Sequence, residues 1–332
     1  VPDTTTFFQN GTLVGVATNL AFNISNVGNA NLTLQGSYVV VVASSGVSGV
    51  GANPPGAAGI AGGGNASFSI DFTPTSTTSW SIDVEVYSDD PATPTYAFTV
   101  QDNSPVYRDI EVDQGGTPVP DTTTHFQNGS AVGVQVNLPF NISNAGNTTL
   151  TLQGSYVAVV ASSGVTIVGV NPPGAAGIAG GGNSGFSIDY TPTSTTGWSF
   201  DVEVYSDDPA TPTYSFTVQD NAPTYAIIGV DQGGAPFSNG QVVNIAPSYN
   251  GVSDNAAFNL RNTGTANLDL TGGPFAVNVI SSLNVSTTVN QPGSTTVVPA
   301  GNQPFSVAFQ PTAAAAWDFL RAVVSHAPAH PS

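Results

Sequence analysis

The chain lacks three amino acids that carry much of protein chemistry: it contains no cysteine, no lysine and no methionine. The absence of cysteine excludes disulfides, thiolate metal sites and thiol redox chemistry. The absence of lysine excludes a Schiff-base lysine and the Gly-Lys-Ser/Thr loop that binds nucleotide phosphates. Because the chain starts at Val1 and has no methionine, we expect that a leader was removed or that it is a piece of a longer protein.

Positive charge is also nearly absent. Three arginines oppose 21 acidic residues, so the formal net charge is -18 at pH 7. A negatively charged surface repels phosphate groups. Nucleic acid and anionic membranes are therefore not expected as partners. Charged residues make up only 7% of the chain, so hydroxyl and amide side chains must supply most of its polarity. No apolar run is long enough for a membrane-spanning helix, and membrane insertion is not expected.

What the sequence does contain is a repeat with a period of 118 residues. Segment 22–36 recurs at 140–154 and, in a more diverged form, at 258–272. Residues 1–116 align without a gap with residues 119–234, and roughly four positions in five are identical. A repeat of this length indicates three tandem domains of ordinary size.

Each copy contains several short stretches in which apolar and polar residues alternate. Leu20, Phe22 and Ile24 alternate with polar residues before an Asn/Gly turn, which is typical of a β-hairpin. The alternation returns around Phe68 and again after Trp80. About seven such strands in each copy, with no helical period, predict an all-β fold of three tandem immunoglobulin-like β-sandwich domains.

The domain boundaries follow from segment 110–113, which is expected to be the opening strand of the second copy. The predicted domains are 1–105, 106–223 and 224–332. On this division the first domain lacks an opening strand, and the third lacks its last strand because the tail 326–332 aligns with a turn.

The missing last strand is expected to leave the third domain only marginally stable on its own. Losing three inward apolar side chains costs about 5–8 kcal/mol at roughly 1.5–3 kcal/mol each, against a whole-domain stability of about 5–15 kcal/mol. Two explanations stay open. The chain is a segment of a longer array of repeats, or another subunit donates the missing strand, with segment 1–9 as the expected donor.

Several short motifs mark the order of the strands. They are Asn-Thr-Gly-Thr-Ala-Asn-Leu-Asp-Leu at 262–270, Phe-Ser-Val-Ala-Phe-Gln-Pro at 305–311, and Ser-Asp-Asp-Pro turns at 88–91 and 206–209. In this order they resemble the bacterial choice-of-anchor D repeats, which are relatives of the Hydin-like immunoglobulin-like domains. Segment 110–121 is similar to the inter-repeat opening strand of that family. The resemblance implies a non-catalytic module of a large secreted or surface protein.

Candidate catalytic and metal-binding groups are few. The histidines are His125, His326 and His330. His125 stands where the first copy has Phe7, and a catalytic residue is not expected in only one of two nearly identical domains. Asp83 and Glu85 share a strand face but have no acidic counterparts in the third copy, which favours a solvated face over a calcium site. We therefore predict no enzyme activity, no cofactor and no metal site.

Asn-x-Ser/Thr sequons provide the remaining candidate sites, as positions for N-linked glycans. Several are expected by chance in a chain so rich in these residues, but many fall at turns or on outward strand positions. Attached glycans would supply the hydration that the sparse charge does not. The candidates are Asn10, Asn23, Asn31, Asn65, Asn128, Asn141, Asn147 and Asn284.

These patterns together predict a structural protein located outside the cell or on its surface. We expect a subunit of an extracellular fibre or surface filament that assembles with copies of itself through β-strand complementation. The alternative is a non-catalytic adhesin or carbohydrate-binding stalk module of a larger secreted protein. Trp80, Trp198 and Trp317 head the same strand in each copy, and they are either a platform for sugars or anchors of each core.

Overall fold

The computed structural model describes residues 1–245, 248–271 and 276–325. These residues form 27 β-strands, which fall into three successive sets of paired sheets. The predicted fold class is confirmed: the chain is all-β, with three tandem immunoglobulin-like β-sandwiches. None of the described residues lies in a helix long and apolar enough to span a membrane.

The first sandwich consists of a five-stranded and a three-stranded sheet. Its strands are β1 (Thr5–Phe8), β2 (Thr18–Ser25), β3 (Leu32–Ser45), β4 (Val47–Asn53), β5 (Gly59–Ile60), β6 (Asn65–Pro74), β7 (Trp80–Ser88) and β8 (Thr95–Asp102). The larger sheet has the order β1-β8-β7-β3-β5 and the smaller sheet the order β2-β6-β4. Because side chains alternate along each strand, Phe68 and Ile70 of β6 and Ile82 and Val84 of β7 meet between the sheets.

The second sandwich has the same plan with two more strands. Its strands are β9 (Ile110–Gln114), β10 (Thr117–Pro118), β11 (Thr123–Phe126), β12 (Val136–Asn144), β13 (Leu150–Ser163), β14 (Val165–Asn171), β15 (Gly177–Ile178), β16 (Asn183–Pro192), β17 (Trp198–Ser206) and β18 (Thr213–Asp220). One sheet has the order β11-β18-β17-β13-β15 and the other the order β10-β9-β12-β16-β14. The strands β9 and β10 therefore extend the sheet that stops at β2 in the first sandwich.

The third sandwich is built from nine strands within the described residues. They are β19 (Ile228–Gln232), β20 (Ala235–Phe237), β21 (Asp254–Asn262), β22 (Leu268–Asp269), β23 (Val277–Leu283), β24 (Val285–Asn290), β25 (Thr296–Val297), β26 (Asn302–Pro311) and β27 (Asp318–Val323). One sheet has the order β20-β19-β21-β26-β24, and two further pairs are β22-β25 and β23-β27. The tail 326–332, on which the predicted loss of a last strand depends, lies outside the described residues.

The chain passes from the first to the second sandwich within a few residues. Val106 forms a parallel bridge with Leu13 of the first sandwich. The N–H of Tyr107 already donates to Oδ1 of Asn147 in the second (2.9 Å). The predicted boundary at residue 105 lies beside this passage, and the division into 1–105, 106–223 and 224–332 stays a prediction.

A buried asparagine holds the same turn in all three sandwiches. Nδ2 of Asn144 donates to the carbonyl oxygens of Thr148 (2.7 Å) and Ile178 (2.9 Å), and its Oδ1 accepts the N–H two residues further on (3.0 Å). Asn26 and Asn262 make the same three contacts. The asparagine thus satisfies backbone groups that would otherwise be buried without partners.

Candidate interaction edge

The smaller sheet of the first sandwich stops at β2, whereas the equivalent sheets of the other two continue. In the second sandwich β12 pairs with β9, with Asn144 opposite Ile110 and Asn141 opposite Asp113. In the third, β21 pairs with β19 in the same register. Within the described part of the chain, β2 pairs only with β6. One edge of β2 therefore presents unpaired backbone groups, which can template the addition of a further strand.

The open edge leaves apolar side chains of the first core partly exposed. Leu138, Phe140 and Ile142 of β12 are at most 3% exposed. Their counterparts on β2 are Leu20, Phe22 and Ile24, which are only partly buried. The difference comes from β9, because Ile110 and Val112 are themselves buried and belong to the same core cluster as the β12 side chains. Among the described residues, no strand covers this surface of the first sandwich.

Two polar contacts fix the ends of β9 in the second sandwich. Oδ2 of Asp208 accepts the N–H of Ile110 (3.1 Å). Nδ2 of Asn141 donates to Oδ1 of Asp113 (3.2 Å). The first sandwich contains the same acceptor and the same donor at the equivalent positions, which are Asp90 and Asn23. Asn23 is exposed beside the open edge.

The third sandwich repeats the contact at the end of its opening strand. Oδ1 of Asp231 accepts hydrogen bonds from the N–H of Gly234 (2.9 Å) and from Nδ2 of Asn259 (3.2 Å), and Arg261 forms an ion pair with the same carboxylate. Burial by itself would raise the pKa of Asp231, but these hydrogen bonds and the arginine charge outweigh it and hold the pKa below its ordinary value. An aspartate at this position thus fastens the opening strand in both sandwiches that have one.

Segment 1–9 is not available as a donated strand in this structure. Its strand β1 runs parallel to β8 of the same sandwich. The hydroxyl of Tyr96 donates to the carbonyl oxygen of Val1 (2.5 Å), as the hydroxyl of Tyr214 donates to that of Val119 (2.7 Å). Here these residues complete the larger sheet of their own sandwich, and donation of segment 1–9 to another subunit stays a prediction.

Within the described part of the chain, β27 of the third sandwich forms a second unpaired edge. Among the described residues, β27 pairs only with β23, whereas β17 of the second sandwich is covered by β18. Arg321 of β27 stands where β17 has the core residue Val202, and its guanidinium lies 4.5 Å from the centre of the Phe319 ring. Burial lowers the pKa of Arg321. No side-chain nitrogen of Arg321 has a hydrogen-bond partner within the described ranges.

The sequon asparagines lie at the surface, but not all of their amide nitrogens are equally accessible. Six are exposed, namely Asn10, Asn23, Asn31, Asn65, Asn128 and Asn147. Asn141 and Asn284 are partly buried. Nδ2, the atom that would carry a glycan, donates to Asp113 from Asn141, to Ala316 from Asn284 (2.9 Å), and to Pro105 from Asn147 (3.1 Å). Glycosylation at the eight positions stays a prediction.

The residues considered for catalysis occupy structural positions. His125 packs edge-on against Phe140 at 6.0 Å between ring centres, as Phe7 packs against Phe22 at 5.7 Å. Asp83 accepts a hydrogen bond from the hydroxyl of Thr99 (2.7 Å) across the strands. Groups of three or more His, Cys, Asp or Glu that could hold a metal do not occur among the described residues. His326 and His330 lie outside those residues.

The tryptophans of the first two sandwiches are core anchors. Trp80 is 2% and Trp198 is 3% exposed. Their rings pack on Phe72 at 4.6 Å and on Tyr190 at 4.8 Å. Neither ring offers a face to solvent on which a sugar could stack, so the core interpretation applies to these two residues.

Known proteins resemble this chain only distantly. No family model and no curated protein matches it. Solved structures with a similar arrangement include the C-terminal domain of the antigen I/II polypeptide BspA of Streptococcus agalactiae, with 8% identity and a TM-score of 0.29 over 64% of this chain and 95% of that one.

Two further structures show the same level of similarity. The C-terminal domain of the Streptococcus pyogenes antigen I/II-family protein AspA has 10% identity and a TM-score of 0.27 over 66% of this chain and 95% of that one. The secreted serine protease VesC of Vibrio cholerae has 9% identity and a TM-score of 0.26 over 87% and 70%. Similarity this low carries no argument about function.

Proposed function

We propose that this chain is a non-catalytic structural module located outside the cell or on its surface. As the finer part of the proposal, the chain is a subunit of a fibre or filament whose copies join by β-strand complementation. One observation supports the assembly above all others. The first sandwich presents an unpaired strand edge and a partly exposed core where its near-identical neighbour is closed by an added strand.

The buried polar side chains support a structural role. Oδ2 of Asp102 accepts hydrogen bonds from the N–H (2.8 Å) and the hydroxyl of Thr12, and its Oδ1 accepts the N–H of Ser104 (2.7 Å). Asp220 fastens the equivalent loop of the second sandwich. These carboxylates hold loops against strands, and their oxygens are directed at backbone N–H groups of the same sandwich.

Strand addition suits the chemistry of this chain better than an interface based on charge. Copies that each carry a net charge of -18 repel one another at long range. An added strand gains affinity from main-chain hydrogen bonds and from apolar side chains that enter the core. Burial of one isoleucine and one valine contributes about 3–6 kcal/mol, from which the cost of ordering the strand is subtracted.

The assembly can be tested by supplying the missing strand within the same chain. Val1 is equivalent to Val119, so a variant that carries a copy of residues 110–118 directly before Val1 places a β9-type strand at the edge of β2. We expect the unmodified chain to form oligomers or filaments that light scattering and negative-stain microscopy detect. We expect the self-complemented variant to stay monomeric.

The matched control carries the same nine-residue extension with Ile110→Asp and Val112→Asp in the added copy. Its extension cannot enter the core, so the control should assemble like the unmodified chain. An unmodified chain that is monomeric at every concentration would reject the fibre proposal. Equal behaviour of the two extended variants would show that the β2 edge does not direct assembly.

A further inference from the structure

Four asparagines of the chain are followed directly by glycine. They are Asn10, Asn128, Asn239 and Asn250. All four lie in turns and are exposed, and so are the glycines that follow them. Because glycine has no side chain to shield its main-chain nitrogen, this nitrogen can approach the side-chain amide of the preceding asparagine. An exposed Asn-Gly turn is therefore a place where the chain can react with itself.

The reaction uses water and no other reactant. The main-chain nitrogen of the glycine bonds to Cγ of the asparagine, the bond between Cγ and Nδ2 breaks, and Nδ2 leaves as ammonia with the proton of the glycine nitrogen. Water then opens the resulting succinimide ring at one of its carbonyl carbons. The products are aspartate, which keeps the normal main chain, and isoaspartate, in which the main chain runs through Cγ.

The hydrogen bonds of the glycine nitrogens divide the four pairs. The N–H of Gly251 donates to the carbonyl oxygen of Pro311 (2.8 Å), and this hydrogen bond must open before the nitrogen can react. Among the described residues, the main-chain nitrogens of the other three glycines have no acceptor, namely those of Gly11, Gly129 and Gly240. Three of the four nitrogens are therefore available for the reaction and one is held.

The side chains of the asparagines are also held to different extents. Oδ1 of Asn10 accepts the N–H of Asn103 (3.3 Å), and Oδ1 of Asn128 accepts that of Asn221 (3.4 Å). The first two sandwiches thus repeat the same contact. Within the described ranges, the side chain of Asn239 makes no hydrogen bond. It can therefore turn towards the glycine nitrogen without first breaking a contact.

We propose that Asn239, Asn10 and Asn128 are sites of spontaneous conversion to aspartate and isoaspartate, and that the fold protects Asn250. The inference does not depend on assembly of copies. Asn239 reacts fastest, because neither its side chain nor the glycine nitrogen is held. Asn10 and Asn128 react at equal rates, because their surroundings repeat. Asn250 reacts about two- to tenfold more slowly than Asn239, which is the effect of one hydrogen bond that must open first.

Conversion at Asn10 acts on a loop that is fixed on both sides. The N–H of Gln9 donates to a carbonyl of β8 (2.8 Å), and the N–H of Thr12 donates to Oδ2 of Asp102 (2.8 Å). The hydroxyl oxygen of Thr12 accepts Nε1 of the buried Trp80 (2.7 Å). Isoaspartate lengthens the main chain between these fixed points, so it loosens the contact that the loop makes with the core. Each product also adds one negative charge to a chain whose net charge is already -18.

The experiment follows the full chain during incubation in mildly alkaline buffer. The chain is produced without N-linked glycans, because a glycan on Nδ2 of Asn10 or Asn128 would block the reaction there. Peptide mapping by mass spectrometry measures the converted fraction at each site, and fragmentation distinguishes aspartate from isoaspartate. We expect conversion first at Asn239, then at equal rates at Asn10 and Asn128, and about two- to tenfold more slowly at Asn250 than at Asn239.

The same chain unfolded in urea is the matched control. Unfolding breaks the hydrogen bond of Gly251 and leaves all four Asn-Gly pairs intact, so Asn250 should then react as fast as Asn239. The proposal is overturned if Asn250 keeps pace with Asn239 in the folded chain, or if their ratio is the same in the folded and unfolded chains. Unequal rates at Asn10 and Asn128 in the folded chain would also overturn it, as would a folded chain in which Asn239 does not react.

Discussion

At the scale of single residues, His125 occupies a position that its neighbouring copy fills with an apolar ring. It lies on β11 and packs against Phe140, and within the described residues its buried Nε2 has no hydrogen-bond partner. Burial lowers the pKa of His125 below its ordinary value of 6.5. When the pH falls below 6.5, the unfolded chain therefore takes up a proton that the folded chain does not, and the second sandwich loses stability.

We predict that His125→Phe stabilises the second sandwich by about 1–3 kcal/mol, because it removes a buried polar atom without a partner. The gain should grow as the pH is lowered from about 8 to about 5, since only the histidine is penalised by protonation. Thermal unfolding at several pH values measures the difference. The reverse substitution Phe7→His in the first sandwich is the control and should introduce the same pH dependence. A gain that does not vary with pH would contradict this account.

The buried asparagines show how far single residues could be predicted from the sequence. The Asn/Gly clusters after β2, β12 and β21 are turns, but the hairpins predicted across them are wrong, because the strands on the two sides of each turn belong to different sheets. The sequence did not indicate that Asn26 is itself part of the core, because one of its partners is the carbonyl of Ile60, 34 residues away. A contact of this kind depends on how the sheets pack, and local residue preferences do not contain it.

At the scale of strands, β2 and β12 offer a comparison in which nearly the same sequence has two different environments. Leu138 is buried, whereas Leu20 is partly exposed. We predict that Leu138→Ala destabilises its sandwich by about 2–5 kcal/mol and that Leu20→Ala destabilises its own by less. Each sandwich contains one tryptophan, so urea unfolding in single-tryptophan variants that retain Trp80 or Trp198 reports on each separately.

The self-complemented variant provides the control for this comparison. With residues 110–118 added before Val1, Leu20 becomes covered, and the cost of Leu20→Ala should rise to that of Leu138→Ala. Equal costs for the two substitutions in the unmodified chain would mean that the edge of β2 is not open in solution.

The strands themselves were predictable because alternation along each strand directly reflects burial on one face, as at Phe68 and Ile70. The partners of the strands were not. Segment 1–9 has the composition of an edge strand, and nothing in its residues distinguishes donation to another subunit from parallel pairing with β8. That choice is decided by contacts such as the one between Tyr96 and Val1, which join residues 95 positions apart.

At the scale of the whole molecule, the repeat of 118 residues predicted three sandwiches. The partial exposure of the first core could be seen only in the structure. The same residues are buried on β12 and partly exposed on β2, and only the sheet order shows that one added strand accounts for the difference.

The net charge of -18 leads to a prediction about assembly of whole chains. Like charges on approaching copies repel over about 30 Å at 0.01 M salt but only about 10 Å at 0.1 M. Strand pairing acts through short-range backbone hydrogen bonds, which salt screens little. We therefore expect self-association, measured by sedimentation, to strengthen as NaCl is raised across this range, mainly through a faster association rate.

The self-complemented variant separates this effect from general precipitation. It has almost the same surface charge but no open β2 edge, so it should stay monomeric at both salt concentrations. If salt caused both chains to associate, loss of repulsion alone would account for the result and the edge would have no part in it. If salt weakened association of the unmodified chain, attractive ion pairs would have to join the copies. With three arginines against 21 acidic residues, the chain has few positive groups from which to form such ion pairs. We therefore expect salt to strengthen self-association of the unmodified chain and not to weaken it.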